Sequence, residues 1–419
     1  MTIKDRPEVH SDATVIGLVG FAHSTSHFFH LLIPPLFPWL MPAFGLNYTE
    51  VGSLMTVFFV ISGAGQALAG FPVDRYGSWR VLCMGVFTLV LSALALACAT
   101  SYAMLVVAAM LAGLGNCVFH PADFGLLNRR VSPPRLGHAF SVHGLSGNLG
   151  WAAGPVLMVG IASIAGWRTA AASAAAIGAL ALILLLTRKR LLDDSAALAA
   201  AKAAEQLEAS DGTRPVAASA LAFLRTPIVW LCFSFFFLVT MALGVLQNFA
   251  PVLLGQVYGL SLALSSTSLT AYLLGSAGGM LAGGFVASHA VHDRVVASAL
   301  GAAACVSLLL ASGLPPPWTV PLIMAAMGFG VGIAGPSRDL LVRQAATRGA
   351  GKSAYGRVYG FVYSGLDIGF ALAPLAFGPL LDAGRYSPAL YGIAVLQVIA
   401  VLTALRVGAS SRAASLQNA

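Results

Sequence analysis

Three histidines stand at i, i+4 and i+7 in "HSTSHFFHLLIPP": His23, His27 and His30. That spacing puts the three imidazoles on one stripe of a helix. An imidazole can change charge near neutral pH, so the stripe suits a proton path or a surface for an anion. The plainer reading is three neutral rings, each hydrogen-bonded to a neighbouring helix. No carboxylate or cysteine accompanies the stripe locally, so no metal is expected on it. A second pair, His120 and Asp123, lies at i, i+3 in "CVFHPADFGLLNRR", where Pro121 loosens any helix. Asp123 has three candidate partners: His120, Arg129, or a cation of another segment. Asp367, in "YSGLDIGF", is the acid deepest inside an apolar run, where burial suits reversible protonation. Gln247, Asn248, Tyr359 and Tyr363 add hydrogen-bonding groups to similar runs.

Such groups are affordable in apolar runs only if the elements around them give them water or partners. The chain has 419 residues, of which 58% are hydrophobic and 9% charged, with a mean hydropathy of +0.85. Soluble domains carry about 25% charge. The expectation is an all-α membrane protein, because backbone groups in lipid are satisfied within each span. Twelve apolar runs are long enough to cross, at about 14–42, 49–73, 79–99, 102–127, 136–160, 164–187, 227–255, 262–288, 294–312, 318–342, 355–381 and 387–406. They are solid rather than alternating, which excludes an outer-membrane barrel. The 45 glycines sit inside these runs, where close helix packing uses them. The five cysteines are scattered and form no CxxC pair, so they read as small apolar residues.

The domain reading is a polar leader at 1–13, a six-helix bundle at 14–187, a linker at 188–226 with an Ala-rich middle, a second six-helix bundle at 227–406 and a tail at 407–419. With both termini in the cytoplasm, Arg75, Arg80, Arg129, Arg130, Arg135 and the linker cations fall on the cytoplasmic side. Only Arg168 and Arg385 fall outside. The net charge of +8 then lies beside anionic headgroups, and no nucleic-acid partner is needed to account for it.

The halves repeat at an offset of about 214–219 residues. "GLGNCVFHPA" (113–122) falls on "GFGVGIAGPS" (328–337), with Pro121 over Pro336; Asp123 aligns with Arg338. "GNLGWAAGP" (147–155) falls on "LDIGFALAP" (366–374), with Asn148 over Asp367. Two such repeats imply a pseudo-two-fold bundle with a site near the midplane.

On these residues the chain resembles the major facilitator superfamily. "GFPVDRYGSWR" (70–80) looks like its G-x-x-x-D-R-x-G loop between spans two and three. "FHPADF…HAFSVHGLSGNLGWAAGP…GWR" is similar to the fosmidomycin-resistance branch, whose members resemble drug or metabolite exporters. The resemblance implies a major facilitator fold in which spans one, four, seven and ten line a central cavity. It places His23, His27, His30, His120, Asp123, Gln247, Asn248, Arg338 and Tyr363 on that cavity. Burial and titration make Asp367, His27 and Asp123 the coupling candidates, and the repeat makes Asp123 and Arg338 a plausible pair across the cavity, the alternative being two gate charges that snorkel to the cytoplasmic side. Asp74, Arg75, Gly77, Arg80 and Arg130 become a cytoplasmic gate. "GWAAGP", with Gly150, Gly154 and Pro155, partly resembles an antiporter motif, the alternative being plain packing and a kink.

The function so implied is secondary active transport by alternating access, with proton-coupled antiport exporting a small polar or anionic compound. The alternative is a proton symporter importing a small organic acid. A membrane-embedded enzyme is disfavoured, because HExxH, a nucleophile elbow and a nucleotide loop are all missing from the sequence. No cofactor is expected. The expected partners are a small-molecule substrate, protons and the bilayer of a bacterial inner membrane, with the chain a monomer.

Overall fold

The computed structural model describes residues 7–195, 222–225, 227–287, 291–349 and 355–417. Among them every regular element is a helix. The long ones are α1 (Pro7–His30), α2 (Tyr48–Tyr76), α3 (Ser78–Ala97), α4 (Tyr102–Asn116), α5 (Phe119–Arg130), α6 (Leu136–Ala165) and α7 (Trp167–Thr187). They continue as α8 (Pro227–Tyr258), α9 (Leu262–Ala287), α10 (His292–Ala311), α11 (Val320–Gly349), α12 (Tyr355–Asp382) and α13 (Tyr386–Gln417). Eleven candidate spans among the described residues are long and apolar enough to cross a membrane, α4 and α5 together making one. α2, at 29 residues, also has the length to cross. The Ala-rich middle of the linker lies outside the described residues.

Prolines set two interruptions. The first expected span ran through residue 42, but α1 stops at His30, just before Pro34 and Pro35, and a short helix, Phe37–Phe44, follows. A proline removes an N–H donor and its ring clashes with the carbonyl four residues back. Pro121 acts in the same way on the fourth span, which is interrupted at Cys117 and Val118 between α4 and α5. Two junctions need a single glycine. Gly77 (φ 89°) joins α2 to α3, and Gly166 (φ 84°) joins α6 to α7, in a region of backbone space that favours glycine.

The chain forms two compact units. One comprises 1–32, 61–151 and 161–218, and the other 33–60, 152–160 and 219–419. In the first, α3 meets α4 through Gly85 and Gly115, each of whose absent Cβ atoms would lie 2.8 Å from the other's carbonyl oxygen. In the second, α9 and α11 run backbone against backbone. Gly275, Gly279 and Gly283 face the carbonyls of Ala325, Phe329 and Ile333, while Gly328 and Gly332 face those of Tyr272 and Ser276. Small residues every fourth position are what such an approach requires. The outer surfaces are apolar: Ile164 is 90% and Phe285 80% exposed, as lipid-facing side chains should be.

Within the second unit the start of α2 is fastened to the end of α12. The Asp382 carboxylate accepts from the backbone N–H of Tyr48 (2.7 Å) and Thr49 (3.1 Å), and from the Thr49 hydroxyl. An acid there satisfies unpaired helix N–H groups. Thr56 donates to the Ala371 carbonyl (2.7 Å), and Phe59 stacks on Phe370 at 4.7 Å.

Candidate functional site

The first unit gathers five histidines. The α1 stripe supplies His23, His27 and His30, α5 supplies His120, and α6 supplies His143. Close approach of α1 and α6 depends on two glycines. A Cβ at Gly147 would lie 2.8 Å from the His27 ring and 2.9 Å from that of His23, and one at Gly150 would fall on the Ser24 carbonyl. Gly150 therefore packs against the stripe itself. Gly154 and Pro155 are buried further along α6, which continues through the proline unbroken.

Asp123, 0% exposed, does not bond His120 or Arg129. Its Oδ2 accepts from His143 Nε2–H at 3.1 Å. The His143 ring stacks on His23 at 3.5 Å. His23 Nδ1–H donates to the His143 carbonyl (2.9 Å), with Ser146 Oγ at 3.2 Å. A carbonyl only accepts, so the proton of a neutral His23 sits on Nδ1 and the lone pair on Nε2. Further along the stripe, the His23 and His27 rings are 4.4 Å apart, and those of His27 and His30 4.9 Å.

His30 is held in one tautomer. Trp151 Nε1–H donates to its Nδ1 (3.2 Å), so His30 Nε2–H donates to Asn116 Oδ1 (2.9 Å). Asn116 Oδ1 also accepts from Ser26 (2.5 Å), and its Nδ2 donates to Ser62 (2.8 Å). His120, the exposed member, donates from Nδ1 to Gln66 Oε1 (2.9 Å). The network is satisfied except at three buried atoms that make no hydrogen bond among the described residues: His23 Nε2, His27 Nδ1 and Asp123 Oδ1. Such atoms are expensive unless something meets them. His143, Asn116, Trp151, Gln66 and Gly147 complete the site. Of these, His143, Gly147 and Trp151 lie within the motif "HAFSVHGLSGNLGWAAGP" quoted above, which gave them no role of their own; the polar exception inside "GLGNCVF" was the available signal for Asn116.

The second unit brings together other expected residues. The Arg338 guanidinium lies 4.7 Å from the Phe236 ring, and Tyr363 packs against the same ring at 4.7 Å. Gln247 and Asn248 are buried on α8, and Gln247 Nε2 and Asn248 Oδ1 make no hydrogen bond among the described residues. Asp367 is half-buried on α12. The side chain of Tyr359 lies outside the described residues.

Around the expected gate, the Asp74 side chain likewise lies outside the described residues, and Arg75 and Arg80 are exposed. The Arg75 guanidinium lies 5.3 Å from the Tyr76 ring. Arg130 donates to the carbonyls of Leu191 (2.6 Å) and Arg190 (3.2 Å). The acid at this end is Asp194, which sequence reasoning left in the linker. It accepts from the backbone N–H of Ser78 (3.1 Å) and Trp79 (3.3 Å) and from Arg129 Nε (2.8 Å), while Arg129 also bonds the Ser78 hydroxyl. Burial alone would raise the Asp194 carboxyl. The bonds from Ser78 and Trp79 and the Arg129 charge outweigh it and hold the group below the usual carboxylate value. A Cβ at Gly77 would sit 3.1 Å from Asp194.

Known proteins share parts of this chain. It is 29% identical over 143 residues to the fosmidomycin resistance protein of Escherichia coli, covering 34% of this chain and 35% of that one. It is 30% identical over 125 residues to a multidrug resistance protein B homologue of Mycobacterium tuberculosis, covering 30% and 23% of the two chains. It is 31% identical over 143 residues to a probable 4-methylmuconolactone transporter of Cupriavidus pinatubonensis, covering 32% and 33%. The chain thus spans about a third or less of the length of these curated relatives. The model of the Major Facilitator Superfamily matches residues 18–374, nearly the whole helical chain. A multi-pass, all-helical membrane protein by its fold, the chain belongs to the Major Facilitator Superfamily.

Proposed function

We propose that this chain is a secondary active transporter of a bacterial inner membrane, working by alternating access and exporting a small polar or anionic compound in exchange for protons. One observation carries the reading. An otherwise apolar bundle holds five histidine rings in mutual contact, one of them hydrogen-bonded to a fully buried aspartate. Ionisable groups at membrane depth are costly and mark pathways for substrates or protons. Two relatives are named for resistance to compounds, which favours export. The two six-helix halves at 14–187 and 227–406, the cytoplasmic termini and the monomeric state belong to the same proposal.

The coupling group is Asp123 with His143 and the stacked His23, rather than Asp367. Asp123 is the more buried acid and is wired through His143 to the stripe, whereas no described residue bonds the Asp367 carboxylate. Arg338 and Tyr363 on Phe236, with Gln247 and Asn248, supply binding groups in the second unit. Asp194 with Arg129 and Arg130 braces the cytoplasmic side of the first unit, where Asp74, Arg75, Gly77 and Arg80 form the gate.

A second reading, proton-coupled import of a small organic acid, is favoured by the relative named as a 4-methylmuconolactone transporter. Inverted vesicles carrying the chain separate the two. With fosmidomycin and 4-methylmuconolactone as labelled probes, export predicts accumulation that collapses when the pH gradient is dissipated. Accumulation only in right-side-out vesicles supports import, and uptake indifferent to the gradient contradicts proton coupling.

A further inference from the structure

We infer that His23, His27 and His120 form a binding site for a borderline divalent transition-metal cation such as Zn²⁺ or Co²⁺. One ring nitrogen from each of these residues lies within 4.8 Å of the other two. The tautomers are set for the task. His23 Nδ1–H is committed to the His143 carbonyl, which leaves the buried Nε2 lone pair with no hydrogen bond. His120 Nδ1–H is committed to Gln66 Oε1, which leaves its Nε2 as the acceptor. A metal-binding histidine almost always donates its other N–H to a carbonyl or carboxylate in this way, which fixes the ring and raises the basicity of the ligating nitrogen. Between these two stands His27, whose buried Nδ1 also makes no hydrogen bond. Its ring is 4.4 Å from that of His23 and 6.5 Å from that of His120.

The rest of the site fits a cation. Three neutral imidazoles leave a fourth tetrahedral position open, as sites that exchange a ligand require. Imidazole donors suit zinc, cobalt and nickel and do not suit magnesium or calcium. Asp123 offers the nearby negative charge: its Oδ1 is buried and without a hydrogen bond, and its Oδ2 accepts from His143, whose ring stacks on His23. Burial falls along the set, from buried His23 through half-buried His27 to exposed His120, so the ion has a way in. The carboxylate whose absence beside the stripe argued against a metal is supplied by another helix. A sequence window along α1 could not show it.

The inference rests on these three rings and not on the coupling proposed above, because equilibrium binding is read without transport. The full chain is purified through a tag free of histidine and titrated with Co²⁺, following the visible absorption bands. The expected result is one Co²⁺ per chain, displaced by Zn²⁺. His23→Gln and His120→Gln should each weaken binding by at least about tenfold, and Gln66→Leu by roughly ten- to a hundredfold through loss of the ring's support. His292→Gln, in the other unit, should bind like the wild type. His120→Cys, which restores a ligand, should bind Co²⁺ with a new near-ultraviolet thiolate band. Since His120 is exposed, its variants test the site without disturbing the core. Absence of stoichiometric Co²⁺ on the folded wild type, or full binding by His120→Gln, overturns the site.

Discussion

The cluster on α1, α5 and α6 and the region on α8, α11 and α12 occupy matching places in the sequence repeat, yet they are built differently. Asp123 aligns with Arg338 and Pro121 with Pro336. In the first unit Pro121 coincides with an interrupted span, and Asn116, the last residue of α4, joins the histidine network. In the second, α11 runs through Pro336 as one helix. Its backbone is seamed to α9 by glycines from both sides as far as Ile333, just before the proline. The first unit gathers imidazole rings that stack and hydrogen-bond. The second presents a fixed guanidinium and two aromatic rings. One sequence pattern, duplicated, has diverged into a histidine cluster on one side of the repeat and an arginine on aromatic rings on the other.

Several substitutions break that contrast or sharpen it. The largest effect on stability is expected from Asp123→Ala. Removing one partner of a buried hydrogen bond costs about 1–3 kcal/mol, more where a charge is involved, the lost volume adds a cavity term, and the His143 N–H is stranded. Thermal unfolding in detergent should show it, and Arg338→Ala, half-buried in the other unit, should fall well short of it. A loss no greater than that of Arg338→Ala would remove the distinction.

Next come Gly150→Ala and Gly332→Ala, each of which drives a methyl into a facing backbone carbonyl. Overpacking of this kind costs about 1–3 kcal/mol, so both should unfold earlier. Only Gly150→Ala should also impair transport, because Gly150 abuts the His27 stem. Equal transport loss from both would mean that the histidine stripe is not special.

Arg338→Ala should weaken an anionic probe by about tenfold, with Arg338→Lys restoring only part, since a planar guanidinium holds two oxygens at once and stacks on a ring. Direct binding measurements on the two variants check this, and unchanged affinity in both would make Arg338 a packing residue.

The smallest effect is at Asp194. Asn keeps a capping oxygen but removes the charge that faces Arg129, so the replacement should cost about 1 kcal/mol, the upper value for a partly exposed ion pair. The Asp194 carboxyl sits lower in the folded chain than in the unfolded one. The stabilisation is therefore complete above the ordinary carboxylate value of about 4 and fades as pH falls through the lower folded value. Unfolding of wild type and Asp194→Asn, compared across pH, should differ at pH 7 and converge in acid. A difference that grows in acid would reverse the assignment.

The fold was legible because span length and repeat are written in runs of about twenty residues and in a nearly common offset between matched motifs. The histidine stripe was legible because its period is that of a single helix. What escaped depends on contacts between helices. His143 stacks on His23 where Gly147 and Gly150 let α6 close on α1, and it bonds Asp123 of α5. Asn116 reaches His30 from the end of α4, just before the interruption at 117–118. Asp194 caps α3 from 116 residues away. The second-unit seam also escaped: glycines counted as general packing residues prove to be spaced to match carbonyls on a particular neighbour.

The claim that the first unit carries the coupling proton is tested most directly by flux in proteoliposomes under an imposed pH gradient, using the probe that the wild-type chain accumulates. Asp123→Asn keeps the shape of the side chain and removes its titration. The account predicts that this variant still exchanges labelled for unlabelled probe but no longer accumulates it, while Asp367→Asn accumulates as the wild type does. Accumulation by Asp123→Asn at the wild-type level, with loss in Asp367→Asn, would contradict it and move the coupling group to the second unit.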